Sequence, residues 1–380
     1  MRSSYFDFFD ELLLEVRGEG GRSTAQFREM YSRFRTGVPG AEPDIVIERT
    51  TTEPDPDVVL GHPDDHYGWT GDRFVVRRDS EFMLVEPGWE RIYVSPDWEP
   101  FYAIYPVEFA LRSRMVANDK ALIHASGVDI DGQTTLFPAW RGAGKTNTLL
   151  SVLRAGGSFL ADDRLWVGAD GDVRGYPLAV NLQSHNFESF PEIEPRYDGP
   201  RDRVQSEVSQ YIDEEFATGS SMFEKGVRFL NAKFLKGDGR SFVSVDSLFS
   251  GSVYLERASV DNFVFLRAAP TADSVTVEPM STETALSDLR SVNYYEWNGR
   301  LEEYFHAYDA LVPEDSVLDR LHYVVDQEER ILTELLRTTD AYVAAVPRET
   351  DWGETGIGSE VLEAIRACSD QRAVEVPTDD

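Results

Sequence analysis

Cysteine occurs once in this 380-residue chain, at position 368, and lysine only five times. A single thiol excludes an intrachain disulfide and suits a reducing interior. No apolar run approaches the ~20 residues of a membrane-spanning helix. The N-terminus carries Asp7, Asp10, Glu11 and Glu15 among Phe and Leu, and lacks the basic start and apolar middle of a secretory signal. Residues 1–17 read instead as an acidic amphipathic helix, and the chain as soluble and cytoplasmic. The shortage of lysine is part of a wider deficit, since 37 Lys and Arg face 68 Asp and Glu for a net charge of -31. Hydrated carboxylates suit a surface bathed in molar salt, where their mutual repulsion is screened. An extreme halophile is the natural source, since an acidic mesophilic chain would suffer that repulsion unscreened. The same charge argues against a general binder of nucleic acid or anionic membrane. With 41% hydrophobic residues the chain can bury one large core or two modest ones.

What the sequence does contain is concentrated in residues 122–163. At their centre, residues 139–146 read AWRGAGKT, a phosphate-binding loop with Ala139 where a first glycine is usual. Such a loop wraps backbone N–H groups around a polyphosphate and supplies a lysine, Lys145, for the β and γ oxygens. Its hydroxyl, Thr146, serves Mg²⁺. Residues 134–137 are a short β-prone run entering the loop. Residues 146–155 then carry Leu149, Leu150, Val152 and Leu153 at helical spacing before Gly156-Gly157. The loop therefore opens a helix, whose dipole favours an anion. Ser158–Ala161 follows as an apolar strand ending in Asp162-Asp163, where a Mg²⁺-holding carboxylate belongs. These three coupled features point to ATP or GTP. The plainer reading of the Asp pair is a turn or helix cap after a buried strand.

Residues 121–130 alternate as a strand, and Asp131-Gly132 is a two-residue hairpin turn. The strand entering the loop is thus the second arm of a hairpin, which implies a mixed sheet. The run from His124-Ala125-Ser126-Gly127 through Asp131-Gly132 and GAGKT to LADD resembles the catalytic core of HPr kinase/phosphorylase. That family belongs to the superfamily of ATP-dependent phosphoenolpyruvate carboxykinase. The likeness is close over about forty residues and loose over half the chain. It implies an α/β fold with a mixed-sheet nucleotide-binding core, and phosphorylation of a hydroxyl on a protein serine or a small molecule. It also implies roles for Lys145, Thr146, the Asp162/Asp163 pair and His124. Two features depart from the family. Ala139-Trp140-Arg141 replaces the glycine start, and no Glu-x-Arg-Gly signature follows, since residues 174–177 come early and carry Asp172 in place of the Glu. This favours a divergent relative over an enzyme acting on HPr itself.

On this reading the backbone of Gly142, Ala143, Gly144, Lys145, Thr146 and Asn147 cradles the phosphates. Thr146 and one of Asp162 and Asp163 hold Mg²⁺, and the other carboxylate accepts the proton of the attacking hydroxyl. The sequence does not say which is which, and both can serve only if the strand ends beside them. His124 is either near the γ-phosphate or acceptor, or a core imidazole bonded to backbone. A kinase using ATP and Mg²⁺ is the favoured function. The alternative is an ATP-binding sensor with little or no turnover, and a carboxykinase-like activity lacks its expected arginine motifs.

Residues 1–118 read as an α+β N-terminal part, 119–368 as the kinase-like core and 369–380 as a disordered acidic tail. Within them we expect a helix at 24–34, strands at 45–48 and 73–77, a hairpin at 82–94 and a helix at 106–117. Beyond the Asp pair we expect a hairpin at 165–167 turning at Asp170-Gly171, strands at 263–266, 275–277 and 341–346, and helices at 282–310, 315–338 and 359–368. Lys225, Arg228, Lys233, Lys236 and Arg240 form the one basic cluster, a grip for an anion or a solvated loop. His62 and His66 bracket Asp64-Asp65, but Pro63 makes that a loop and a poor metal site. Residues 294–297, Tyr-Tyr-Glu-Trp, read as core rather than as a stacking platform.

Overall fold

Residues 1–17 alternate rather than spiral. Phe6 and Phe8 are buried on one side of a turn, and Leu12, Leu14 and Val16 on the other, the period-2 pattern of strands with one face inward. In a computed structural model, which describes residues 2–62, 64–98, 100–193, 241–249, 251–347, 352 and 356–375, they form β1 (Ser3–Phe8) and β2 (Leu12–Arg17). The two pair antiparallel, with Phe8 opposite Leu12. The expected helix is therefore a hairpin. Phe9 and Asp10 turn the chain at φ 66° and 63°, and Asp7 accepts the Asp10 N–H at 2.8 Å. Of the acidic residues that suggested a helix face, Asp7, Asp10 and Glu11 thus lie at or beside a turn, and Glu15 is buried within β2.

After helix α1 (Arg22–Met30), seven more strands complete a mixed sheet. They are β3 (Arg35–Thr36), β4 (Ile45–Arg49), β5 (Val58–His62), β6 (Asp65–Trp69), β7 (Phe74–Arg78), β8 (Glu81–Val85) and β9 (Arg91–Val94). Their order is β3-β1-β2-β4-β9-β8-β7-β6-β5, parallel only where β4 meets β2 and β9. Helix α2 (Pro100–Ala117) follows. The sequence did not reveal β5 and β6, which pair antiparallel with His62 opposite Asp65.

The second mixed sheet begins with β10 (Lys120–Ile123), β11 (Ala125–Ile130) and β12 (Gln133–Pro138). The single strand expected at 121–130 is broken at His124. β10 pairs with β14 (Leu165–Gly168), whereas β11 pairs with β12 and with β13 (Ser158–Ala161). Asp131 and Gly132, both at positive φ, make the expected two-residue turn. β15 (Asp172–Gly175) joins β14, and the long β18 (Arg257–Ala269) joins β15 antiparallel and β12 parallel. Between them, β16 (Val180–Leu182) and β17 (Ser241–Val243) form a separate ribbon. β20 (Asp340–Pro347) extends the sheet parallel to β18 and pairs with β19 (Thr276–Pro279).

Alternation along these strands feeds two cores. Phe137, Val264, Leu266, Tyr342 and Ala344 pack with Leu149, Leu150, Val152 and Leu153 of α3 (Lys145–Arg154) and Val361 of α8 (Ile357–Glu375). Leu136, Phe263 and Phe265 pack on the other face with α5 (Thr282–Asn293) and α7 (Val317–Leu335). Helix α4 (Ser184–Ser189) follows β16, and α6 (Gly299–Leu311) follows a π-helical turn, Tyr294–Asn298. A third core joins the N-terminal sheet and α2 to α6, α7, Trp166 and Tyr176. Helix α8 runs to Glu375, into the segment expected to be a disordered tail. Among the described residues no helix is long and apolar enough to cross a membrane.

Candidate functional site

β12 ends at Pro138 and α3 begins at Lys145, so residues 139–144 are the connection between a buried strand and a helix. Gly142 and Gly144 take φ of 82° and 92°, values that side chains resist, and Gly144 caps α3 without any side-chain bond. The first N–H groups of α3 have no intrahelical acceptor and face an anion-favouring end of the dipole. The loop is anchored from outside. Arg141 N donates to Glu296 Oε1 at 3.1 Å, and the Trp140 ring lies 4.6 Å from Tyr295, centroid to centroid. Tyr294 and Tyr295 are half exposed while Trp297 is buried, so only part of the 294–297 run is core. Tyr295 and Glu296 lie against the loop.

β13 ends at Ala161, before both aspartates, so neither is committed to a sheet face. The chain bends there and sends the two carboxylates to different partners. Asp162 Oδ1 accepts from Thr146 Oγ1 at 3.1 Å. Asp163 Oδ1 accepts from Lys145 Nζ at 3.0 Å and lies 3.5 Å from His124 Nδ1. Lys145 Nζ also reaches His124 Nε2 at 2.7 Å. Because an ammonium only donates, Nε2 is the acceptor and the imidazole proton sits on Nδ1, toward Asp163. His124 is aimed there by the strand break. Its N–H donates to Asn293 Oδ1 at 2.9 Å, and Asn293 Nδ2 donates to Leu122 O at 3.2 Å, replacing lost ladder bonds.

The charges follow from this geometry. Burial, and then the Lys145 cation, lower His124 to about 3, so the ring is neutral. Burial pushes Asp162 up to about 6, with Lys145 opposing and the Asp163 charge adding to the rise. Burial would raise Asp163 too, but half its side chain is open, and Lys145, His124 and Arg164 together hold it well below the usual carboxylate range.

Of the residues singled out from sequence, His124, Lys145, Thr146, Asp162 and Asp163 converge on one cluster beside the loop that holds Gly142, Ala143 and Gly144. Asn147 is buried and its Oδ1 accepts from Asn186 Nδ2 of α4 at 2.6 Å, so only its backbone faces the loop. His62 and His66 belong to the β5–β6 hairpin, with His66 Nδ1 3.2 Å from His62 O. Among the described residues no group of three His, Cys, Asp or Glu side chains could hold a metal by itself. The basic cluster 225–240 lies outside the described residues. Sequence reading missed Arg164, Glu108 and Asn293, and it read Trp297 as core without its contact to Arg164. Only Arg164, directly after the Asp pair, carried a local signal. No protein-family model matches this chain, and no curated protein matches it.

Proposed function

We propose that this protein is an ATP-dependent, Mg²⁺-requiring kinase of the HPr kinase/phosphorylase type that transfers a γ-phosphoryl group to a hydroxyl of a protein serine or a small metabolite. One observation carries the reading. Three successive segments of the chain bring Lys145 within 3.0 Å of both His124 and Asp163, and Thr146 within 3.1 Å of Asp162, at a glycine loop opening a helix. Phosphoryl transfer asks for this combination of an amide cradle, a cation and two carboxylates with different duties.

Thr146 Oγ1 and Asp162 Oδ1 are adjacent hard oxygen donors. Mg²⁺ takes one or two such groups from a protein when phosphates supply others, so they suit the ion, which neutralises phosphate charge when bound. That assigns the metal side to Asp162 and leaves Asp163 as the proton acceptor for the attacking hydroxyl. Lys145 has three donors. His124 and Asp163 occupy two, and the third serves the phosphate. A phosphate anion drawing on the ammonium weakens its hold on Asp163 and raises that carboxylate's basicity. Neutral His124 orients Lys145 without adding a competing cation.

The test is transfer from γ-labelled ATP with Mg²⁺ in molar KCl, with fractionated extract of a halophile as acceptor source. Label on one protein band or one metabolite, lost in Asp163→Asn, supports the kinase. ATP binding with no fraction labelled above the variant would replace it with a sensor.

A further inference from the structure

Arg164 is a buried cation that the chemistry above does not use. Its side chain is 8% exposed and lies between two carboxylates, with Nη1 3.2 Å from Glu108 Oε2 and Nε 3.4 Å from Asp163 Oδ2. Its guanidinium also lies 4.7 Å from the Trp297 ring centroid. The two Asp163 oxygens are thus divided. Oδ1 faces Lys145 and Oδ2 faces Arg164, which fixes the carboxylate plane from both ends. Glu108, fully buried on α2, is itself held by the Tyr176 hydroxyl, which donates to Oε1 at 2.7 Å. Tyr176 packs on Phe8, Phe9 and Phe34 of the N-terminal region. If Arg164 only neutralised Glu108, aligned hydrogen bonds between them would be expected. Instead Arg164 Nε and Nη1 and Glu108 Oε2 all lack a hydrogen-bond partner, so the guanidinium is held off its best geometry with Glu108 and shared with Asp163. A buried polar group left unpaired calls for a reason, and the division of one guanidinium between two carboxylates supplies it here.

We infer that Arg164, held by Glu108, is a positioning residue that fixes the Asp163 carboxylate for proton acceptance and ties the N-terminal sheet to the reacting centre. The inference rests on the kinase reading. Its test is the rate of phosphoryl transfer from Mg–ATP to the extract fraction that wild type labels, in molar KCl, by wild type, Arg164→Lys and the double variant Arg164→Met/Glu108→Gln, which leaves no uncompensated charge from this pair. For a double variant folded by circular dichroism, kcat falls about a hundredfold, the cost of misplacing a reacting group by about 1 Å. KM for Mg–ATP stays within about twofold, because the loop contacts are intact. Arg164→Lys, which keeps the cation, regains most of the rate. Wild-type kcat in the folded double variant overturns the inference, as does a KM that rises in step with the loss of rate. Wild type that labels no fraction would sink the kinase reading instead. A crystal structure of the double variant decides the positioning claim without turnover. Asp163 turned away from Lys145 supports it, and Asp163 Oδ1 still bonded to Lys145 Nζ overturns it.

Discussion

Two glycines of the 139–146 loop share a left-handed backbone, but only one has a neighbour pressed against it. A Cβ on Gly142 would meet open space, whereas on Gly144 it would lie 2.8 Å from Trp352 Cζ2 and 3.1 Å from Cη2. Trp352 is 7% exposed, so its ring has nowhere open to swing. Gly142→Ala therefore carries only the left-handed penalty of about 1–2 kcal/mol. Gly144→Ala carries that penalty plus overpacking of about 1–3 kcal/mol, for a total of about 2–5 kcal/mol. Trp352→Leu removes the ring atoms in the way but not the backbone strain. A double-mutant cycle on Gly144→Ala and Trp352→Leu should then show a coupling of about 1–3 kcal/mol. The assay is urea denaturation of the four proteins in molar KCl, read by circular dichroism and extrapolated linearly. Equal losses for the two glycine variants, or a cycle with no coupling, would refute the contact between Trp352 and the loop.

Arg112 and Glu328 form a buried pair beneath the site. Arg112 donates Nε at 3.0 Å and Nη2 to the two Glu328 oxygens, and Glu328 Oε1 also takes the Leu122 N–H at 3.2 Å. Glu328→Gln leaves the guanidinium uncompensated and should cost about 3–5 kcal/mol in the same denaturation assay; a loss below about 1 kcal/mol contradicts the pair's isolation from water. His124 gives a pH signature. Its folded pKa of about 3 lies below the unfolded value, so below pH ~6.5 the unfolded chain takes up a proton that the native state refuses. Stability is lost as pH falls from ~6.5 toward about 3, by at most about 5 kcal/mol. His124→Gln should flatten that limb, and an unchanged limb would show that the imidazole is not held neutral. Asp162, raised to about 6, acts in the opposite sense. Its native state keeps a proton that the unfolded chain has lost, so stability falls as pH rises through that range, and Asp162→Asn should remove that limb.

The parts of this protein legible in its sequence are those whose causes are local. Asp131-Gly132 had to turn, and the glycines around Lys145 had to join strand to helix. Ser158–Ala161 was apolar enough to be a strand, with the aspartates at its end. The N-terminal hairpin was legible in principle, because Phe6, Phe8, Leu12, Leu14 and Val16 alternate. The acidic residues among them drew attention to a helical face instead. The strand break at His124 was not legible, because its cause is Asn293, which replaces ladder bonds from a helix remote in sequence. The same holds for Glu108 and Arg164, and for Trp140 against Tyr295. Each depends on a partner brought near only by the packed cores. The residues singled out from sequence thus come together in the structure, which adds the partners around them that the sequence did not reveal.

On the proposed function, this site holds Mg–ATP through Lys145. Its most direct test is calorimetric titration of ATP into the full chain in molar KCl, with and without Mg²⁺, for wild type and Lys145→Met. Saturable, Mg²⁺-dependent binding at one site per chain is expected, abolished in Lys145→Met with the fold intact. Absence of binding at millimolar ATP, or equal binding by the variant, would contradict it.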